Sequence, residues 1–193
     1  DFQELKGIEG LQVSAISANL YKDARDDLSL FYFPEGSNYA IAYTQNSIVS
    51  ESITWNRENA KTNIKVLVVN TKNANTFTGE QGLRSLDGVA KTLIDCLKKF
   101  ENENGYEKTK IKNILFASTG VIGEKFPIEK IKANIPNLVS DLRINQNKII
   151  WLKMASAIMT TDTKPKVAYS EIKLGDKIVK IAGVAKGSGM IAP

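Results

Sequence analysis

Ile64-Lys65-Val66-Leu67-Val68-Val69, followed by Asn70-Thr71-Lys72-Asn73-Ala74-Asn75-Thr76-Phe77-Thr78-Gly79, is the stretch that decides the fold. Its first part is short, apolar and β-branched, the pattern of a buried strand. The second part is a polar loop. From Gln81 the period changes: Leu86, Val89, Leu93 and Leu97, with Ala90 and Ile94 alongside, predict one apolar helix face over about four turns. Cys96 falls at the edge of that face, where a thiol is expected to be a buried, inert packing group.

On the N-terminal side, residues 11–20 alternate loosely, and Leu28-Ser29-Leu30-Phe31-Tyr32-Phe33 predicts a strand ending at Pro34. Tyr39-Ala40-Ile41-Ala42-Tyr43 predicts a third strand after the turn residues Gly36-Ser37-Asn38. On the C-terminal side, residues 111–117 form a second compact apolar strand running into Ser118-Thr119-Gly120-Val121-Ile122-Gly123. Pro127 suits the first turn of a helix through Ile128, Ile131 and Ile135, with a kink or break at Pro136. Residues 145–159 predict another helix, with Ile149, Leu152, Ala155, Ser156 and Met159 near one side. A hairpin closes the chain: 166–174, a two-residue Gly175-Asp176 turn, then 177–184. Strands come first and strand–helix alternation follows. That order predicts an α+β fold, one main layered α/β domain over residues 1–193, and not a Rossmann sheet.

The composition narrows the chemistry. With 193 residues, 42% hydrophobic and 24% charged, the chain can build one good core or two small lobes. No run approaches the roughly 18 apolar residues of a membrane span, so no membrane partner is expected. The net charge of +5 is modest and the lysines are interleaved with acids, as in Lys98-Lys99-Phe100-Glu101-Asn102-Glu103. The aromatic residues sit mostly in apolar runs and are not spaced between basic residues, so no nucleic-acid partner is expected. A single cysteine excludes an internal disulfide and fits the cytoplasm. Histidine is absent, which removes Ser-His-Asp and Cys-His catalysis and every His-ligated metal; no metal site is expected. The chain begins without Met and stops on Gly187-Ser188-Gly189-Met190-Ile191-Ala192-Pro193, a glycine-rich turn entering an apolar stub. That reads as a fragment, or as one product of a cleaved precursor.

Three loops gather glycine with hydroxyl residues: Asn73-Ala74-Asn75 through Gly79-Glu80-Gln81-Gly82, Ser118-Thr119-Gly120-Val121-Ile122-Gly123, and Lys186-Gly187-Ser188-Gly189. None fits the Walker phosphate-loop pattern. Together with Met159-Thr160-Thr161-Asp162-Thr163, and in this order, they resemble the ornithine acetyltransferase (bifunctional glutamate N-acetyltransferase) family of arginine biosynthesis. The likeness begins near Ala42-Tyr43-Thr44-Gln45-Asn46; before it, Ser17-Ala18-Asn19 stands where the family more often has a glycine-containing turn.

The resemblance implies the layered sandwich of a self-cleaving, N-terminal-nucleophile-like enzyme. A precursor cleaves itself before a threonine, this chain is the α chain, and the β chain from the same precursor carries the nucleophile. The implied reaction transfers acetyl from N-acetylornithine to glutamate through an acetyl-threonine intermediate, with ping-pong kinetics. The nucleophile's own α-amine, with a pKa of about 8, can serve as base where histidine is absent. No cofactor is implied; whether acetyl-CoA is a further acetyl donor stays open. By resemblance Thr119 and Gly120 stabilise the oxyanion, and Thr160 and Lys186 bind substrate, with Thr161 and Thr163 as alternatives to Thr160. Asn73 and Asn75 are expected to shape their loop. The implied assembly is an α2β2 heterotetramer. The competing reading is a related self-cleaving N-terminal threonine or serine aminopeptidase or amidase, with water as acceptor.

Overall fold

A computed structural model describes residues 5–189. Four strands form the main sheet in the order β1 (Gln12–Ile16), β2 (Leu28–Ser37), β3 (Ile64–Asn70), β4 (Ile114–Ser118). The first two junctions are antiparallel and β3–β4 is parallel. Parallel neighbours need a crossover, and α2 (Gly79–Asn104) supplies it. The parallel register sets Asn70 beside Ser118, so the loops that leave β3 and β4 emerge side by side.

Strand alternation divides the sheet into two faces. Leu28, Leu30, Tyr32, Val66, Val68, Ile114 and Phe116 point into one core, where they meet Leu86, Val89, Ala90, Leu93 and Leu97 of α2 and Ile131, Ile135 and Leu138 of α3 (Ile128–Ser140). Val13, Ala15, Phe31 and Phe33 point the other way. They pack with Trp151 and Met154 of α4 (Lys148–Ala157), and with the base of a hairpin formed by β5 (Lys166–Leu174) and β6 (Lys177–Ala185). The fold is therefore α+β and layered, as the element order predicts.

Local departures have identifiable causes. β2 continues through Pro34 to Ser37, but its register with β3 breaks between Tyr32 and Ser37. A proline lacking N–H is tolerated at such an irregularity. Residues 39–43 do not form a strand; they lie along a cavity beside Phe33, Leu67 and Leu115, with Tyr43 carrying the Arg57 guanidinium 4.9 Å above its ring. Helix α1 (Glu51–Asn59) lacks an apolar stripe. It is fixed by buried Trp55 and by Asn56, whose amide both donates to the Phe116 carbonyl and accepts from its N–H at 2.8 and 2.9 Å.

The kink or break expected at Pro136 is not a stop. Helix α3 runs on to Ser140, because Leu138 and Val139 beyond the proline are buried in the core. In α4 the buried side is Trp151, Met154 and Ala155, whereas Ile149 is 73% exposed. The Trp151 indole donates to the Lys6 carbonyl at 3.1 Å, which turns the helix away from the face its aliphatic residues suggest. Cys96 is half-buried against the larger core, and burial pushes its thiol pKa up, as suits a packing group. Among the described residues, no helix is long and apolar enough to cross a membrane.

Candidate active site

The loops after β3 and β4 are stitched into one platform. Thr119 N–H donates to the Asn70 carbonyl at 3.1 Å, Val121 N–H to the Lys72 carbonyl at 2.9 Å, and Ala74 N–H to the Val121 carbonyl at 2.9 Å. Below them, the Ser118 hydroxyl donates to Asn70 Oδ1 at 2.7 Å, and the Asn70 amide donates to the Asn73 carbonyl at 2.9 Å.

Asn73 and Asn75 are buried scaffolding. Asn73 donates to the carbonyls of Glu124 and Lys125 at 3.0 and 3.3 Å and accepts the Asn75 N–H at 2.8 Å. This network holds a loop in which Lys72, Asn75 and Phe77 all take positive φ. Upstream, Asn19 also has positive φ, at 56°, so an asparagine adopts the backbone that a glycine turn would use.

Gly120 has φ +141°, and a Cβ there would lie 2.2 Å from the Lys72 carbonyl carbon. Glycine is thus required for the two loops to touch. The residue is exposed, and its N–H makes no hydrogen bond among the described residues. The neighbouring Thr119 hydroxyl accepts from Lys186 Nζ at 2.9 Å, and the same ammonium donates to Thr160 Oγ1 at 2.8 Å. Lys186 is half-buried and forms no ion pair among the described residues, so one of its three N–H donors remains for a ligand. Thr119, Gly120, Thr160 and Lys186 line one cleft of about 640 Å³. Thr161 also lines it; Thr163 does not.

Three residues that the sequence reading gives no role complete the surroundings. Tyr21 and Lys72 line the cleft; the Lys72 ammonium lies 5.7 Å from the Tyr21 ring centre and the Arg25 guanidinium 4.4 Å from it. Arg25 also donates to the Met159 carbonyl at 2.6 Å, tying the end of α4 to the rim. Among the described residues the charged groups lining the cleft are Lys72 and Lys186, a lining that suits an anionic ligand. Tyr21 and Lys72 carry no motif, and only folding brings them here. A second cavity, about 540 Å³ beside residues 37–44, has no charged lining residue among the described residues and offers less chemistry.

Within an α+β layered fold, a parallel strand pair opens its carboxyl ends onto hydroxyls, the Gly120 amide and the Lys186 ammonium, an arrangement that can receive a small anion. The ArgJ family profile matches residues 12–193, and the chain belongs to the ArgJ family. It is 38% identical over 98% of its length to the arginine biosynthesis bifunctional protein ArgJ of Gluconobacter oxydans, and 37% identical over 100% to that of Caulobacter vibrioides. These matches cover 42% and 45% of the two relatives, so the chain spans less than half of their length.

Among solved structures, the Bacillus halodurans ArgJ protein superposes with a TM-score of 0.83 at 25% identity, covering 98% of this chain and 95% of that one. The Mycobacterium tuberculosis ornithine acetyltransferase complexed with ornithine gives 0.80 at 26% identity, covering 99% and 97%.

Proposed function

We propose that this chain is the α subunit of an acetyltransferase that moves acetyl from N-acetylornithine to glutamate, releasing ornithine and N-acetylglutamate. The observation that carries the reading is the Lys186 ammonium held between Thr119 and Thr160 beside the Gly120 amide, which makes no hydrogen bond among the described residues. Lys186 still has a donor to offer, and a ligand carboxylate is its natural partner. With its oxygen occupied by Lys186, the Thr119 hydroxyl can turn its hydrogen toward the cleft, next to the Gly120 N–H. Two such donors can stabilise a tetrahedral oxyanion, each worth roughly 3 kcal/mol.

The attacking group in this reading is a threonine at the start of the β chain, produced by cleavage of a common precursor. Its hydroxyl adds to the acetyl carbonyl, its α-amine takes the proton, and collapse of the oxyanion expels ornithine with a proton delivered to the leaving nitrogen. The amine of glutamate then attacks the acetyl-threonine ester and restores the hydroxyl. No cofactor takes part; acetyl-CoA would enter only as another acetyl donor. The ornithine complex of the Mycobacterium tuberculosis relative supports an amino-acid ligand. The contrast between 42% coverage of a full-length relative and 95% coverage of a solved chain supports a two-chain family. The reading includes an α2β2 assembly in the cytoplasm, in which the β chain supplies the nucleophile.

The full precursor tests the reading. Intact mass should show two chains, the second beginning with threonine. The processed protein should release ornithine from N-acetylornithine only when glutamate is present. Release that proceeds equally without glutamate would replace the reading with the amidase alternative, and transfer from acetyl-CoA would extend it to both acetyl donors.

A further inference from the structure

The cleft depends on a carboxylate that does not line it. Asp162 has a side chain only 1% exposed, yet it accepts three donors from three parts of the chain. The Gly187 N–H, just after β6, donates to Oδ1 at 2.5 Å. The Thr160 N–H, just after α4, donates to Oδ2 at 3.2 Å, and Lys166 Nζ, at the start of β5, donates to Oδ1 at 2.9 Å. The two amides belong to Thr160 itself and to the residue that follows Lys186. One carboxylate therefore joins the end of helix α4 to the end of the hairpin and fixes both sides of the Thr160–Lys186 contact.

We infer that Asp162 is a positioning residue: its ionised carboxylate, bridging the Thr160 and Gly187 amides, sets Lys186 between Thr119 and Thr160. The inference rests on the acyl-transfer reading for its kinetic consequences, but not for its geometry. All three partners are donors, and only an acceptor with two bare oxygens can meet them. Asparagine is almost the same size but must aim its NH2 at one of these donors. Burial on its own would raise the Asp162 pKa; the Gly187 amide, Lys166 and the Thr160 amide outweigh it and hold the carboxyl well below the usual range. The hairpin base also packs on α4 through Val167, Tyr169, Ala182 and Val184, whereas the outer parts of β5 and β6 are exposed.

The test is a double-mutant cycle in the full, processed protein. Asp162→Asn should lower kcat/KM about 100-fold, the scale expected when a catalytic group is displaced by about 1 Å. Its division between kcat and KM should match that of Lys186→Met, and the double variant should be no worse than Lys186→Met alone, because both changes remove the same contact. Lys166→Ala, which removes only the exposed partner, should stay within about threefold of the parent. A crystal structure of Asp162→Asn should show Lys186 Nζ withdrawn from Thr119 Oγ1. If Asp162→Asn does not fold, Asp162→Glu, which keeps the charge and shifts the oxygens by one methylene, is taken through the same cycle. Independent, additive losses, or a variant structure with Lys186 still in place, would overturn the inference. If the parent protein transfers no acetyl, the acyl-transfer reading falls, and the crystallographic comparison alone decides the role of Asp162.

Discussion

The sheet with its two long helices and the C-terminal hairpin are held by different forces. In the sheet body, α2 and α3 close over one face, and Leu93, with 0% exposure, sits in the middle of a continuous apolar core. In the hairpin, Ile178 is 66% exposed, and the attachments are few: Val167, Tyr169, Ala182 and Val184 against α4, surface pairs of Lys6 with Glu171 and Lys180 with Glu9, and the Asp162 knot. Non-directional burial fixes the first region throughout, whereas the second adds directional polar contacts to a small apolar contact at its base. Each delivers part of the cleft: the body presents Thr119 and Gly120 on a packed strand end, and the hairpin brings Lys186 across to them.

The largest loss of stability should come from cutting into the body. Leu93→Ala leaves a cavity between α2 and the sheet and should cost about 4 kcal/mol of unfolding free energy. The measurement is the shift in the denaturation midpoint of the protein. A cost below about 1 kcal/mol would mean that the helix layer can collapse around the gap and that the body is no more tightly specified than the hairpin.

A smaller loss of stability, with a greater effect on chemistry, is expected at the edge of the body. Gly120→Ala places a methyl group 2.2 Å from the Lys72 carbonyl carbon, and that neighbour is backbone, which cannot swing aside. The β3 and β4 loops must then part, at about 3 kcal/mol. Activity should fall further than stability alone explains, because the Thr119–Gly120 pair moves with the loop. Thermal melting beside kcat for the proposed glutamate-dependent release of ornithine separates the two effects. An unchanged kcat would remove Gly120 from the proposed oxyanion site.

The same division explains what could be read from the sequence. Residues 64–69 and the α2 face were legible because burial against one layer imposes a period, and the period survives in the residue pattern. Helix α1 was not legible. It is held by Trp55 and by the two-way hydrogen bonds of Asn56, which leave no repeating signature. Residues 39–43 have a strand's composition but find no strand edge to pair with, so composition alone misleads there. In the cleft, Thr119, Gly120, Thr160 and Lys186 were reachable because loop motifs in a set order resemble those of a known family, and folding brings the four together. Tyr21 and Lys72 carried no such signal. Asp162 lay within a quoted motif, but its meaning is in the donors that surround it, and those come from residues 160, 166 and 187.

The smallest effect should come from repeating the glycine substitution at the far end of the hairpin. Gly175 has φ +60° in the two-residue turn, as Gly120 also has positive φ, but a Cβ there meets nothing within 4 Å. Gly175→Ala therefore bears only the left-handed backbone penalty, about 1 kcal/mol, with no clash to relieve. The turn joins Leu174 to Lys177, whereas Lys186 lies at the opposite end of β6, held by the contacts that converge on Asp162. Local fraying at the tip should thus leave kcat and KM unchanged while hydrogen exchange quickens in the residues nearest the turn. A fall in activity as large as that of Gly120→Ala would mean that the hairpin carries Lys186 as a rigid lever along its whole length. The polar knot at its base would then be insufficient to position the ammonium, and the contrast between the two regions would have to be redrawn with the hairpin counted as part of the body.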